Sequence, residues 1–236
     1  RHIIFWSLPF AALFIVLRAQ IVRFILGSGA FSWSDTRLTA ACLAIFAVSI
    51  VFQALSILLI RAYYAAGLNR AALVVIVISA LSTIGLAYGG VSLFKESLFA
   101  RDFFEHLLRV DGLTGTTVIM LPLAFSIGSI INTLGLAFYL RYKLNFKLLL
   151  GETALHSFAA SVSMGFISYQ FLTYFGTIFD LRTTLGIFLQ GFCAGILGIL
   201  FGAFLLIVMK NKEALEVYSA FKRRIKKEEI VGPQEM

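Results

Sequence analysis

Between Leu38 and Ile60 the chain carries no charged residue. At about 1.5 Å of rise per residue such a run crosses the ~30 Å hydrocarbon layer as one helix, and a soluble core helix of that kind is uncommon. A glycine-broken turn precedes it, Gly27-Ser28-Gly29-Ala30-Phe31 and then Asp35, and a basic stop closes it at Arg61-Ala62-Tyr63-Tyr64-Ala65. The segment reads as a membrane span. The rest of the chain agrees, because 60% of its residues are apolar and 14% charged, against roughly a quarter charged in soluble domains. A net charge of +8 would point to nucleic acid in a soluble protein; here its distribution over loops matters more, and no nucleic-acid partner is expected.

The expected fold is all-α, a polytopic bundle of six transmembrane helices over residues 3–26, 37–60, 71–93, 115–140, 148–176 and 184–209. Residues 1–210 form this bundle, and residues 211–236 a basic, amphipathic, cytoplasmic tail. Continuous apolar runs without period-2 alternation exclude a β-barrel. With Arg1 inside, 13 of the 20 basic residues fall on the cytoplasmic side, the tail's Lys222, Arg223, Arg224, Lys226 and Lys227 among them. The asymmetry puts both ends in the cytoplasm. The chain opens on Arg1 and enters an apolar run at once, which is the expected look of a longer protein without its amino-terminal part.

Polar residues within the spans are the candidate functional groups. Arg18 either snorkels to the outer surface or lines an aqueous cavity, and Gln53 and Asn132 are further cavity candidates. Asn132 has the alternative of a hydrogen bond across helices. Glu152 and His156, four apart on one helix face, are either an interfacial salt bridge or a titratable inner gate. In the long connection between spans three and four, Leu98, Phe103, Phe104, Leu107 and Leu108 alternate with Arg101, Asp102, Glu105 and Arg109, the pattern of an amphipathic helix on the outer surface. His106 has no companions at metal-ligand spacing, so no metal site is expected. Cys42 and Cys193 lie in apolar runs and read as small buried residues. The pairs Gly191-xxx-Gly195 and Gly198-xxx-Gly202 form a smooth face for another helix or a lipid chain.

No phosphate-cradling loop, His-Glu-x-x-His or Gly-x-Ser-x-Gly is present, which leaves transport ahead of catalysis. Pro9, Ile21-Val22-Arg23, Gly29-Ala30-Phe31, Asp35-Thr36 and Arg61-Ala62-Tyr63-Tyr64-Ala65 together resemble the carboxy-terminal half of the MurJ (MviN) lipid II flippase family. Arg23, Gly29, Phe31, Asp35, Arg61 and Tyr64 carry the motif. Ser126, Asn132 and Ala160-Ser161-x-x-Met164-Gly165 extend the likeness.

The resemblance implies helices 9 to 14 of a 14-helix MATE-like exporter in the bacterial inner membrane. Such a protein moves an undecaprenyl-pyrophosphate-linked peptidoglycan precursor outward by alternating access. Its partners would be the bilayer, that lipid-linked glycan and the missing amino-terminal half. A groove for the lipid tail would fall over Ser161 to Phe175 and Gly186 to Gly202. No cofactor is implied beyond coupling to an ion gradient or membrane potential. Ser82 or Thr83, and Ala87, stand where some members have sodium-binding polar residues, which counts against a sodium site. The rival readings are a flippase for another polyprenyl-linked glycan, a drug exporter of the same superfamily, and a non-transporting scaffold that recruits cell-wall enzymes.

Overall fold

The computed structural model describes residues 1–27, 31–144, 151–209, 211, 213–217 and 219, with the side chains of Gly151 and Glu152 outside that set. Its helices are α1 (His2–Val16), α2 (Arg18–Leu26), α3 (Trp33–Ala65), α4 (Asn69–Glu96), α5 (Leu98–Leu108), α6 (Met120–Leu144), α7 (Gly151–Phe175) and α8 (Thr184–Val208), with a 3-10 turn, Thr116–Ile119, leading into α6. Among the described residues there is no strand.

Among the described residues four segments are long and apolar enough to cross a membrane: α3, α4, α6 with its leading turn, and α8. A fifth is the bent pair α1 and α2. The single span expected over 3–26 is thus two helices at 69° to one another. The break is at Leu17 (φ −87°, ψ 7°), outside helical geometry. Pro9 lies two turns earlier inside α1 and leaves that helix unbroken, so proline is not the cause. α7, expected as a sixth span, is not among the strongly apolar helices. His156, Ser157, Ser161, Ser163, Ser168 and Gln170 dilute its run, and Ser157, Ser161 and Ser168 are turned into the bundle.

α3 starts where the motif turn ends. The Asp35 N–H donates to Ser32 Oγ (3.2 Å) and the Ser32 N–H donates to Asp35 Oδ2 (2.9 Å), a reciprocal cap that satisfies two donors the helix would otherwise leave bare. Gly67, at φ +70°, lets the chain reverse between α3 and α4.

The helices pack as two groups of three. α6 lies between α3 and α4, and α7 lies between α1 and α8; α1 also packs on α3, and α2 on both α3 and α8. Small residues allow the close approaches. A Cβ at Gly198 would collide with Ser168 Oγ, and one at Gly128 with Thr83 Oγ1. Gly191 and Gly195 stand against Gln20 and Leu17. The glycine face of α8 therefore meets neighbouring helices, while Gly191, Gly195 and Gly202 also border apolar hollows.

α5 is the amphipathic helix the periodicity predicts. Phe104 and Leu108 pack inward beside Phe94, Val110 and Ile119, while Leu98, Phe99, Phe103 and Leu107 are exposed. Glu105 departs from expectation: it is buried rather than part of a wet stripe. Thr116 Oγ1 donates to its Oε1 at 2.6 Å and Arg101 Nε at 2.9 Å, which is what makes a buried carboxylate tolerable.

Candidate functional site

An apolar concavity of about 430 Å³ opens between α1, α7 and α8. Phe5, Trp6 and Phe10 form one wall, Met164 the back, and Ile199 and Ala203 the other wall. A second hollow of about 400 Å³ lies between α2 and α8, with Phe24 and Phe188 at its far end. Leu13 and Ile199 line both, so the two hollows adjoin, one beside α1 and the other mainly beside α2. Phe24 and Phe188 meet with ring centroids 4.8 Å apart. Aromatic and branched side chains on an almost wholly apolar surface suit a hydrocarbon chain better than a polar solute.

The near end of the groove is floored by residues from after α8. Ala214 joins Phe5, Ala160 and Leu206 in a buried cluster, and Ala214 and Val217 line the hollow. Thr153 Oγ1 donates to Glu213 Oε1 at 3.0 Å, and His2 Nε2 is 3.5 Å from Glu216 Oε2. Burial pushes the Glu213 carboxyl up, but its backbone and Thr153 hydrogen bonds and the charges of Arg1 and His2 outweigh that and hold it below the usual range. The expected tail helix thus begins folded back on the bundle. Tyr218, Phe221 and Ile225, the remaining positions of its apolar stripe, lie outside the described residues.

The other group of helices is joined by a polar network. Ser56 Oγ and Thr133 Oγ1 are 2.8 Å apart, Asn132 Nδ2 donates to Ser56 Oγ (3.2 Å), and Ser79 Oγ donates to Asn132 Oδ1 (3.0 Å). α3, α4 and α6 all contribute. Tyr63, fully buried, donates its hydroxyl to the Leu136 carbonyl at 2.8 Å. Thr83 donates to the Ser79 carbonyl (2.8 Å), and Ser82 to that of Ile78 (2.9 Å).

Residues 1–189 match the family model described as Lipid II flippase MurJ. The chain belongs to the MurJ family. Neither a curated protein nor a solved structure gives a match. The matched stretch contains α1 to α7 and ends within α8. MurJ proteins are lipid II flippases by that description, transporters rather than enzymes, and the apolar helices make this member a multi-pass membrane protein.

The residues singled out in the sequence are spread along the MurJ bundle. Arg18 is half-buried on α2. Gln53 is exposed on α3 and donates to Ser49 Oγ at 2.7 Å. Asn132 on α6 is the node of the polar network, and its partner Ser56 lies on α3 three residues after Gln53. In the motif turn, Arg23 Nη1 donates to Thr36 Oγ1 at 3.5 Å and its guanidinium lies 5.7 Å from the Trp33 ring centroid; Asp35 caps α3; Phe31 is half-buried; Gly29 lies outside the described residues. Arg61 and Tyr64 are exposed at the other end of α3, while Tyr63 between them is the residue that ties α3 to α6. His156 is half-buried on α7, and the Glu152 side chain with which it would pair lies outside the described residues.

Sequence reasoning passed over Ser56, Ser79, Thr133 and Gln190. The last donates to the Leu172 carbonyl at 2.8 Å and receives Gln20 at 3.5 Å, joining α2, α7 and α8. Single hydroxyls and amides in apolar runs were the available signal, and of this network only Asn132 was singled out.

Proposed function

We propose that the chain is the six-span carboxy-terminal part of a 14-helix, MATE-like lipid II flippase of the bacterial inner membrane, with both ends cytoplasmic. It carries an undecaprenyl-pyrophosphate-linked peptidoglycan precursor from the inner to the outer leaflet by alternating access. α1 with α2, α3, α4, α6, α7 and α8 would be helices 9 to 14. The observation that carries the reading is the pair of adjoining apolar hollows, one lined by Phe5 and Trp6 and the other by Phe24 and Phe188, in a chain whose family is named for a polyprenyl-linked substrate. A long hydrocarbon tail can stay in these hollows while its charged headgroup uses a cavity completed by an amino-terminal half. Arg18, Gln53 and Asn132 are proposed to face that cavity, and Glu152 with His156 to form an inner gate. Coupling to an ion gradient or the membrane potential supplies direction.

The test is complementation of a flippase-depleted bacterium with the full-length gene. Rescue of growth together with labelled lipid II at the outer leaflet is the expected result. Protein that reaches the membrane but restores no outer-leaflet lipid II would sink the reading, as a scaffold or a drug exporter would behave that way.

A further inference from the structure

The chain does not leave the bundle where α8 stops. Asn211 donates its N–H back to the Leu206 carbonyl at 3.0 Å, and its Oδ1 accepts the Ala214 N–H at 3.2 Å. A side-chain oxygen on the third N–H ahead is how asparagine starts a helical turn, and residues 213–217 are helical. Asn211, Glu213 and Ala214 are buried. Ala214 seats the turn among Phe5 of α1, Ala160 of α7 and Leu206 of α8.

The contacts that hold it there are few. One alanine enters the apolar cluster, and Val217, which also lines the hollow, stays 41% exposed. Thr153 on α7 gives Glu213 one hydrogen bond, and the side chains of the His2–Glu216 pair are 62% and 69% exposed, where an ion pair adds little. Against these stands the cost of taking the Glu213 carboxylate out of water. An element balanced in this way opens locally while the helices around it stay folded.

Its position makes that opening consequential. Ala214 and Val217 join Phe5 in lining the hollow at the end where α1 begins, while the other end adjoins the hollow beside α2 at Leu13 and Ile199. The rim at the Phe5 end is polar, with His2, Thr153, Glu213 and Glu216 around it. A lipid whose tail lies in the hollow has to bring its headgroup out at a polar rim. Here that path is filled by the turn, and its two carboxylates repel a phosphate.

We infer that residues 213–217 are a latch that shuts this end of the hollow and swings away before a lipid with an anionic headgroup can occupy it. The latch regulates the tail site of the proposed function and rests on that reading. Lipid and latch exclude one another, so a change that loosens the latch tightens lipid binding, and bound lipid frees the latch.

The full-length protein in detergent is titrated with undecaprenyl pyrophosphate; bound lipid is counted by native mass spectrometry and backbone hydrogen exchange is followed over residues 211–217. T153V and E216Q each take one contact from the latch, and E216Q does so at an exposed position where folding is not at stake. Both should speed exchange in that segment. T153V should raise lipid affinity about threefold to tenfold, the weight of one hydrogen bond, and E216Q about twofold, the weight of an exposed ion pair. Saturating lipid should speed the same exchange in the unaltered protein. A203W, which fills the hollow, tests the site itself and should abolish binding. Normal binding by A203W sinks the tail reading and the latch with it. If A203W blocks binding but lipid leaves exchange over 211–217 unchanged, or T153V and E216Q leave affinity unchanged, the latch alone is overturned.

Discussion

Thr116 donates its hydroxyl to the Glu105 carboxylate at 2.6 Å, joining the surface helix α5 to the turn that starts α6. Both residues are buried, so the bond is made away from water. T116V should cost about 1 to 3 kcal/mol, because the carboxylate keeps Arg101 and loses its best donor. E105Q, which retains an acceptor, should cost less. Thermal unfolding in detergent separates the two.

The same contact sets a pH dependence. Burial raises the Glu105 pKa, but the Thr116 and Arg101 hydrogen bonds and the charges of Arg101 and His106 more than reverse that, and the folded-state value lies below the ordinary one. A carboxyl with a depressed folded pKa contributes stability above its unfolded value and loses it as pH falls through the folded one. Hydrogen exchange in α5 should therefore accelerate in acid below the ordinary carboxylate range, and E105Q should flatten that response. Equal acceleration in E105Q would show that other groups control it.

In the α3, α4 and α6 network, Thr133 also donates to the Phe52 and Ser129 carbonyls (2.8 and 2.9 Å). Within apolar surroundings such interhelical bonds contribute about 0.6 to 2 kcal/mol each. S56A and T133V should each lower the unfolding temperature, and the double variant should lose less than their sum, with a coupling of about 0.5 kcal/mol or more. Strict additivity would mean the two hydroxyls are near without interacting.

Gly198 presses on Ser168, whose Oγ is buried without a partner among the described residues. G198A should destabilise the α7–α8 pair by about 1 to 3 kcal/mol through overpacking. S168A removes the colliding oxygen, leaving the new Cβ 3.1 Å from Ser168 Cβ. The double variant should then regain part of the loss. Failure to regain any would place the clash in the backbone of α7 instead.

Ala203 is exposed and lines the groove between α1 and α8. A203W fills that hollow without disturbing buried packing, so membrane protein levels should stay normal while rescue of flippase-depleted cells is lost. Full rescue by A203W would remove the groove from the transport cycle.

How much of this could be read from the chain depends on how local the cause is. The uncharged run of α3 and the two-sided pattern of α5 are local, and both elements appear where the residues put them. The break at Leu17 has no local cause: leucine continues a helix readily, and Pro9, the visible breaker, breaks nothing. Beyond the turn α2 packs on α3 and on α8, and the second of these lies far away in sequence. Glu105 misled for a related reason, since its partner Thr116 lies beyond the helix whose periodicity assigned it to water. The glycines of α8 announced a close approach, but which neighbour comes close is decided by the fold.

The 69° elbow at Leu17 also shapes whatever occupies the groove. A guest reaching from the hollow beside α1 into the one beside α2 has to curve at Leu13 and Ile199, which line both. A stiff rod could fill one arm only. A jointed, unsaturated chain can turn the corner, so the bend suits a flexible guest better than a rigid one.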